Sequence, residues 1–131
     1  MAANHDHKKV IAKVRKLMGE IFDESDQSIY VYLDKENKVC NDRFAFLLGY
    51  RSAKEWGAVK TDFAATFVTP KDRSTLVTAY QNAIGDLVAS TISVKWKKKG
   101  KGEVATTTIM VPLVFEGHRM ALHFIKPNSP E

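Results

Sequence analysis

Asn41-Asp42-Arg43-Phe44-Ala45-Phe46-Leu47-Leu48-Gly49-Tyr50 is the stretch on which the fold of this chain turns. Asp42 to Leu48 predicts a short helix, and Gly49 supplies the C-terminal cap that stops it. Upstream, Ile29-Tyr30-Val31-Tyr32-Leu33 is β-branched and aromatic and reads as a strand. Asp34-Lys35-Glu36-Asn37 is a turn, with Asn37 able to take a left-handed conformation, and Lys38 to Asn41 is a short second strand. Downstream, Ser52-Ala53-Lys54-Glu55 matches a capping box and starts a second short helix carrying Trp56. Thr61 to Phe67 is a third helical turn. Thr69-Pro70-Lys71-Asp72 combines an N-cap residue, a proline at the first helical position and an acid in the first turn, which predicts a longer helix from about Pro70 to Ile84, stopped at Gly85.

Beyond Gly85 the period changes to two. Val88, Ser90, Ile92, Val94 and Trp96 line one face of a strand, and Ala89, Thr91, Ser93, Lys95 and Lys97 the other. Lys98 to Gly102 is a hairpin tip, Val104 to Phe115 a long strand, Glu116-Gly117 a turn and Arg119 to Ile125 the last strand. At the other end, residues 1–7 are expected to be disordered. Residues 8–22 place Val10, Ile11, Val14, Leu17, Met18, Ile21 and Phe22 on one face of an amphipathic helix. Val10, Val14, Leu17 and Ile21 alone follow the rhythm of a coiled-coil seam for about two heptads. Gly19 weakens this helix by about 1 kcal/mol relative to Ala, and the polar stretch from Asp23 to Ser28 ends it. The organisation is therefore a flexible N-terminus plus flanking helix (1–27), one domain (28–126) and a disordered tail (127–131). The order of elements predicts an α+β fold with a five-stranded, mostly antiparallel sheet.

Composition sets the bounds. A chain of 131 residues, 44% hydrophobic and 27% charged, suits one domain with one core. The net charge of +5 comes from Lys95, Lys97, Lys98, Lys99 and Lys101; without them basic and acidic residues balance. A charged hairpin tip is the plain reading of that patch. A phosphate contact with Trp96 as a stacking face is the remote alternative, and Trp96 shares a strand face with Val88, Ile92 and Val94, which points to the core. A nucleic-acid partner is accordingly not expected. One cysteine excludes an internal disulfide framework and suits a reducing compartment. The longest apolar runs, Phe44 to Leu48 and Ile109 to Phe115, are too short to span a membrane, and the N-terminus has no apolar signal region. A cytoplasmic protein with no membrane partner is the expectation.

The chemistry-bearing residues are sparse. His118 and His123 are five apart on one strand, hence on opposite sheet faces and unable to share a metal. His5 and His7 fall in the expected disordered tail. Cys40 reads as a buried, inert thiol. Asp42, Glu55, Asp62 and Asp72 read as caps or surface charges. No phosphate loop, nucleophile elbow or paired His-Glu motif is present, so the protein is not read as an enzyme.

In this order, these motifs resemble those of a PAS domain. Asn41 to Tyr50 is similar to the family's Asn-to-Gly-Tyr segment, Ser52 to Trp56 to the short helix after it, and Phe67-Val68-Thr69-Pro70-Lys71-Asp72-Arg73 to its Pro-x-Asp-Arg approach to the long helix. Asp34 closes the first strand and turn, and Lys97 to Glu103 resembles the hairpin carrying a Lys-x-Gly signal. Two departures are Asn37 where the family often has Gly, and a short segment from Asp34 to Asn41. The resemblance implies a sheet cupping short helices around a pocket that holds a flavin, haem, a small metabolite or nothing. It implies a sensory module whose pocket wall includes Asn41, Trp56, Phe63, Phe67 and Tyr80. It also implies a homodimer formed through Val10, Val14, Leu17, Met18 and Ile21 of the flanking helix, coupled to a signalling partner or to an effector domain outside these residues. The cofactor stays unassigned. A covalent flavin adduct is disfavoured because light-oxygen-voltage relatives carry their Cys in Asn-Cys-Arg-Phe-Leu-Gln on a helix, whereas Val39-Cys40-Asn41-Asp42-Arg43-Phe44 puts it on a strand. Haem is disfavoured because the long helix has no histidine to serve as proximal ligand. The alternative is a ligand-free protein–protein interaction module.

Overall fold

Asn41 organises the turn from strand to helix. Its Oδ1 accepts from the backbone N–H of Ile29 and of Phe44, and its Nδ2 donates to the Gln27 carbonyl. That caps helix α3 (Asp42–Leu47) and ties it to the start of strand β1 (Ser28–Asp34). The helix ends as Gly49 turns with φ +85°, and the Lys99 N–H donates to the Leu48 carbonyl at 2.7 Å, docking the distant hairpin tip on the helix end. The computed structural model describes residues 2–128, with side chains from Asp6 onward.

The remaining elements follow in order: β2 (Asn37–Cys40) before α3, then α4 (Ala53–Gly57), α5 (Phe63–Phe67), a 3-10 turn (Pro70–Asp72), α6 (Arg73–Asp86), β3 (Ser90–Lys97), β4 (Glu103–Phe115) and β5 (His118–Pro127). The five strands form one antiparallel sheet in the order β2-β1-β5-β4-β3. This is the α+β architecture expected from the sequence.

The sheet separates two cores. On the inner face, Tyr30, Phe44, Trp56, Phe67, Val94 and Trp96 pack under the short helices. On the outer face, Val10, Ile11, Val14 and Phe22 cover Ile29, Val31, Leu33 and Met120. β1 is thus buried on both faces, which explains its unbroken apolar reading. The inner core is strongly aromatic: Trp96 meets Tyr30 and Phe44 edge to face at 5.8 and 5.5 Å.

Several expectations need correction. The N-terminal region is helical from Ala2, not disordered through residue 7: α1 spans Ala2–Leu17. His7 Nδ1 lies 2.6 Å from Asp34 Oδ2, and its ring meets His118 edge-on, so contacts remote in sequence hold this first part of the helix. The flanking helix is two segments, with α2 (Gly19–Glu24) following a break at Met18. The break falls beside Gly19, the weakest helix former there. It leaves Phe22 buried while Leu17 and Ile21 stay 67% and 50% exposed.

Gly85 does not stop the long helix. α6 continues to Asp86, and Leu87 takes the left-handed cap at φ 57°. Arg119 donates to the carbonyls of Ile84 and Gly85 at 2.7 and 3.0 Å, so a strand residue satisfies the groups that would otherwise favour an earlier end. Thr69 makes no side-chain cap bond. The carboxylate of Asp72 instead accepts from Lys95 N–H at 2.8 Å, joining the helix start to β3. The expected disordered tail is also too long by two residues: Pro127 pairs with Thr106, and the Asn128 N–H donates to the Ala105 carbonyl. Residues 129–131 lie outside the described residues.

Candidate functional site

A cavity of about 410 Å3 lies between the inner sheet face and α5–α6. Strand alternation supplies its floor. Tyr30 and Tyr32 project from β1, and His123 comes from β5 directly opposite Tyr30. The Tyr30 and His123 rings stack at 3.8 Å, nearly parallel. Phe63 of α5 and Tyr80 of α6 form the wall, and Asp34, Lys35 and Asp62 complete the lining.

Burial governs the titration of these groups. Desolvation holds His123 down to about 3, against the opposing effect of backbone hydrogen bonds to Ala121 and Tyr30, so the ring is neutral at ordinary pH; its Nδ1 lies 3.2 Å from the Ala121 carbonyl. Burial pushes the Tyr30 phenol well up, and among the described residues its hydroxyl has no hydrogen-bond partner. Tyr32 is pushed up to about 12 by burial first and then by Tyr80, Asp34 and Asp62. Tyr80 is raised by burial and by Asp34; its hydroxyl donates to the Leu33 carbonyl at 3.3 Å. Burial would raise Asp34, but hydrogen bonds from His7, Asn37 and the Glu36 and Asn37 amides outweigh it and hold the carboxyl below its usual value.

Of the five residues expected in the pocket wall, Phe63 and Tyr80 line the cavity. Trp56 and Phe67 do not: both are fully buried in the aromatic core. Asn41 is a cap with its amide oxygen and nitrogen both engaged. The residues missed are Tyr30, Tyr32, Asp34, Asp62 and His123. Their period-two placement was readable, but which sheet face carried the cavity was not. His118 and His123 do face opposite sides, the former beside His7 outside and the latter in the cavity.

Lys38 is an unexpected neighbour of the core. It is only 4% exposed; its ammonium donates to the carbonyls of Lys35 and Val59 and lies 5.1 Å from the Trp56 ring centre. Burial lowers it to about 8, with Lys60 adding repulsion. Cys40 is 1% exposed, does not line the cavity, and has its thiol pushed up by burial. Asp42, Glu55 and Asp62 accept from the backbone N–H groups of Ala53, Arg51 and Ala65, as caps do.

The lysine patch is partly turned onto the protein. Lys99 pairs with Glu55 at 2.7 Å and sits over Tyr50, and Lys97 reaches the Ala65 carbonyl. Lys95 lies 3.9 Å from Glu103. Trp96 is fully buried and donates to Thr106 Oγ1, so it offers no stacking face to solvent. Among the described residues, no helix is long and apolar enough to cross a membrane, and no group of three His, Cys, Asp or Glu side chains is placed to hold a metal ion. The cavity's one imidazole, His123, has Nδ1 turned to a backbone carbonyl. A wider, open depression of about 800 Å3 between α2 and α3 carries Asp23, Asp26, Arg43 and Phe46.

No protein-family model matches the chain, and no curated protein does. Solved structures do. A PAS domain from a two-component sensor histidine kinase superposes with a TM-score of 0.66 at 10% identity, covering 86% of this chain and 95% of that one. A PAS domain of a protein from Colwellia psychrerythraea gives 0.67 at 18% identity, covering 87% and 96%. The dimeric Vibrio cholerae LuxR-type receptor VqmA gives 0.66 at 9% identity, covering 86% of this chain and 51% of the receptor. Identities this low speak for the fold, and sheet order, short helices and chain coverage agree on it: the chain has the fold of a PAS domain.

Proposed function

We propose that this protein is a sensory signal-transduction module that binds a small molecule in the cavity and acts as a homodimer. One observation carries the ligand reading: a cavity of about 410 Å3 opens between the inner sheet face and α5–α6, walled by Tyr32, Phe63 and Tyr80. The similar structures support the class, since one belongs to a sensor kinase and another to a dimeric DNA-binding receptor. Signalling would follow as a population shift: a ligand contacting Phe63 and Tyr80 favours one placement of α5 and α6 over another. Native mass spectrometry of the purified chain tests this. The expected result is a discrete mass excess that is lost on denaturation. A bare protein mass, joined by no thermal stabilisation from a metabolite library, would instead favour the ligand-free interaction module.

The apolar surface left open to a second copy differs from the set expected from sequence. Val10 and Val14 are spent on the protein's own sheet, 4% and 2% exposed. Leu17 and Ile21 remain open, and Ile109 of β4 is 45% exposed on the same outer sheet face. Met18 packs in part against the outer core. Sedimentation at micromolar concentration is expected to show a dimer that the double substitution Leu17→Asp, Ile21→Asp converts to a folded monomer. A wild-type monomer at that concentration removes the dimer from the proposal.

A further inference from the structure

We infer that the free edge of β3 pairs with β3 of a second copy, antiparallel and about a two-fold axis at Ile92. This contact is separate from the outer-face surface at Leu17 and Ile21, and links one such dimer to another.

The two edges of the sheet differ. At β2 the Lys38 carbonyl lies against α4, where a Cβ on Gly57 would come within 3.4 Å of it. β3 forms the other edge, and only its far end is covered. The Lys95 carbonyl accepts from the Thr69 N–H, and the Lys95 N–H donates to the Asp72 carboxylate. The backbone of Lys95 therefore faces away from β4. Alternation along the strand points the N–H and C=O of Thr91 and Ser93 the same way, and among the described residues these groups have no partner. Ser90 to Val94 also carries no charge, no proline and no break in its register with β4, the features that usually keep an exposed edge from pairing.

A second copy of the strand fits this edge in one register. Residues that exchange hydrogen bonds across an antiparallel pair must both turn their backbone to the partner. An axis at Ile92 sets Thr91 opposite Ser93 of the second copy, and Ser93 opposite its Thr91. Every free N–H then meets a free C=O. The charges agree with the antiparallel sense. It carries the basic end of each strand, Lys95 and Lys97, towards the start of the other, where Asp86, Leu87 and Val88 are exposed. A parallel pairing would set lysine against lysine. Thr69 and Asp72 stop the pairing at Lys95, so the contact is confined to Ser90–Val94 and is small, as in a weak and transient interface.

Cysteine crosslinking of the full chain at submillimolar concentration tests the register, in the wild-type background and with Leu17→Asp and Ile21→Asp removing the outer-face contact. Ile92→Cys is expected to form an intermolecular disulfide about tenfold faster than Thr91→Cys or Ser93→Cys, because only at the axis does a residue face its own copy at disulfide distance. Cys40 is buried and does not compete. Random collision would favour the more exposed Thr91 and Ser93, so equal or faster crosslinking at either of them overturns the inference. Charge reads the same register without touching Ile92. Thr91→Lys with Ser93→Lys sets like charges opposite each other and is expected to abolish the association seen by sedimentation at that concentration. Thr91→Glu with Ser93→Lys sets opposite charges face to face and is expected to tighten it about threefold. Both side chains are exposed, so both variants keep the fold. If the two associate alike, or if folded Ile92→Cys stays uncrosslinked, the edge contact falls, while the outer-face dimer is judged on its own substitutions.

Discussion

Acidifying the protein from about pH 7 to about pH 4.5 is expected to lower its unfolding free energy by roughly 2–3 kcal/mol through His123 alone. The ring is 2% exposed and burial holds it down to about 3, whereas the ordinary value of 6.5 applies once the chain unfolds. Between those values the unfolded chain binds a proton that the native state refuses. The contribution is fully present above 6.5 and declines as pH falls towards 3, at about 1.4 kcal/mol per pH unit. Asp34 acts at lower pH. Its carboxyl is held below 3.8, so its contribution disappears only as pH drops through that depressed value. Urea unfolding at several pH values measures the slope. His123→Phe keeps a ring against Tyr30 and has nothing to titrate, so its stability should be flat across the upper part of the window. A wild-type stability equally flat between about pH 6.5 and 4.5 would show that water or a rearrangement solvates the imidazolium.

Trp96→Ala is expected to cost about 3–5 kcal/mol, the range for deleting a large buried aromatic, which is a large part of the roughly 5–15 kcal/mol that domains possess. Trp96 packs against Tyr30, Phe44 and Phe63, and its indole N–H donates to Thr106 Oγ1 at 2.9 Å. That hydroxyl donates onward to the Val94 carbonyl at 2.9 Å. Trp56 provides the control. It is equally buried, but its indole N–H has no partner among the described residues. Trp→Phe should therefore cost more at 96 than at 56 by about 1 kcal/mol, the net worth of one hydrogen bond. Denaturant midpoints at unchanged m-value give both numbers. Equal costs at the two sites would mean that packing volume alone decides.

How much of this was legible in the sequence depends on the range of the interaction concerned. Gly49, Ser52 and the alternation leading to Trp96 act over a few residues, and α3, α4 and most of β3 stand where those signals put them, although β3 begins at Ser90 and leaves Val88 48% exposed. The stop at Gly85 failed because Arg119, from another strand, satisfies the helix carbonyls. The helical start at Ala2 was missed because the His7 contacts lie with Asp34 and His118. The cavity was half legible for a related reason. An aromatic residue on a helix can be core or wall, and Phe63 and Tyr80 differ from Trp56 and Phe67 in where the helices settle on the sheet. Tyr30 and His123 become a pair only through the β1–β5 register.

β1 also has a mechanical meaning. Ile29 and Val31 belong to the outer core, and Tyr30 between them belongs to the aromatic core and the cavity floor. Successive side chains of a strand point to opposite faces, and close-packed interiors yield little. The two sides of the sheet are therefore joined by covalent bonds one residue long. A sideways displacement of the backbone at Tyr30 is geometrically a displacement of the surface on which Val10 and Val14 rest, and the strand is itself the lever.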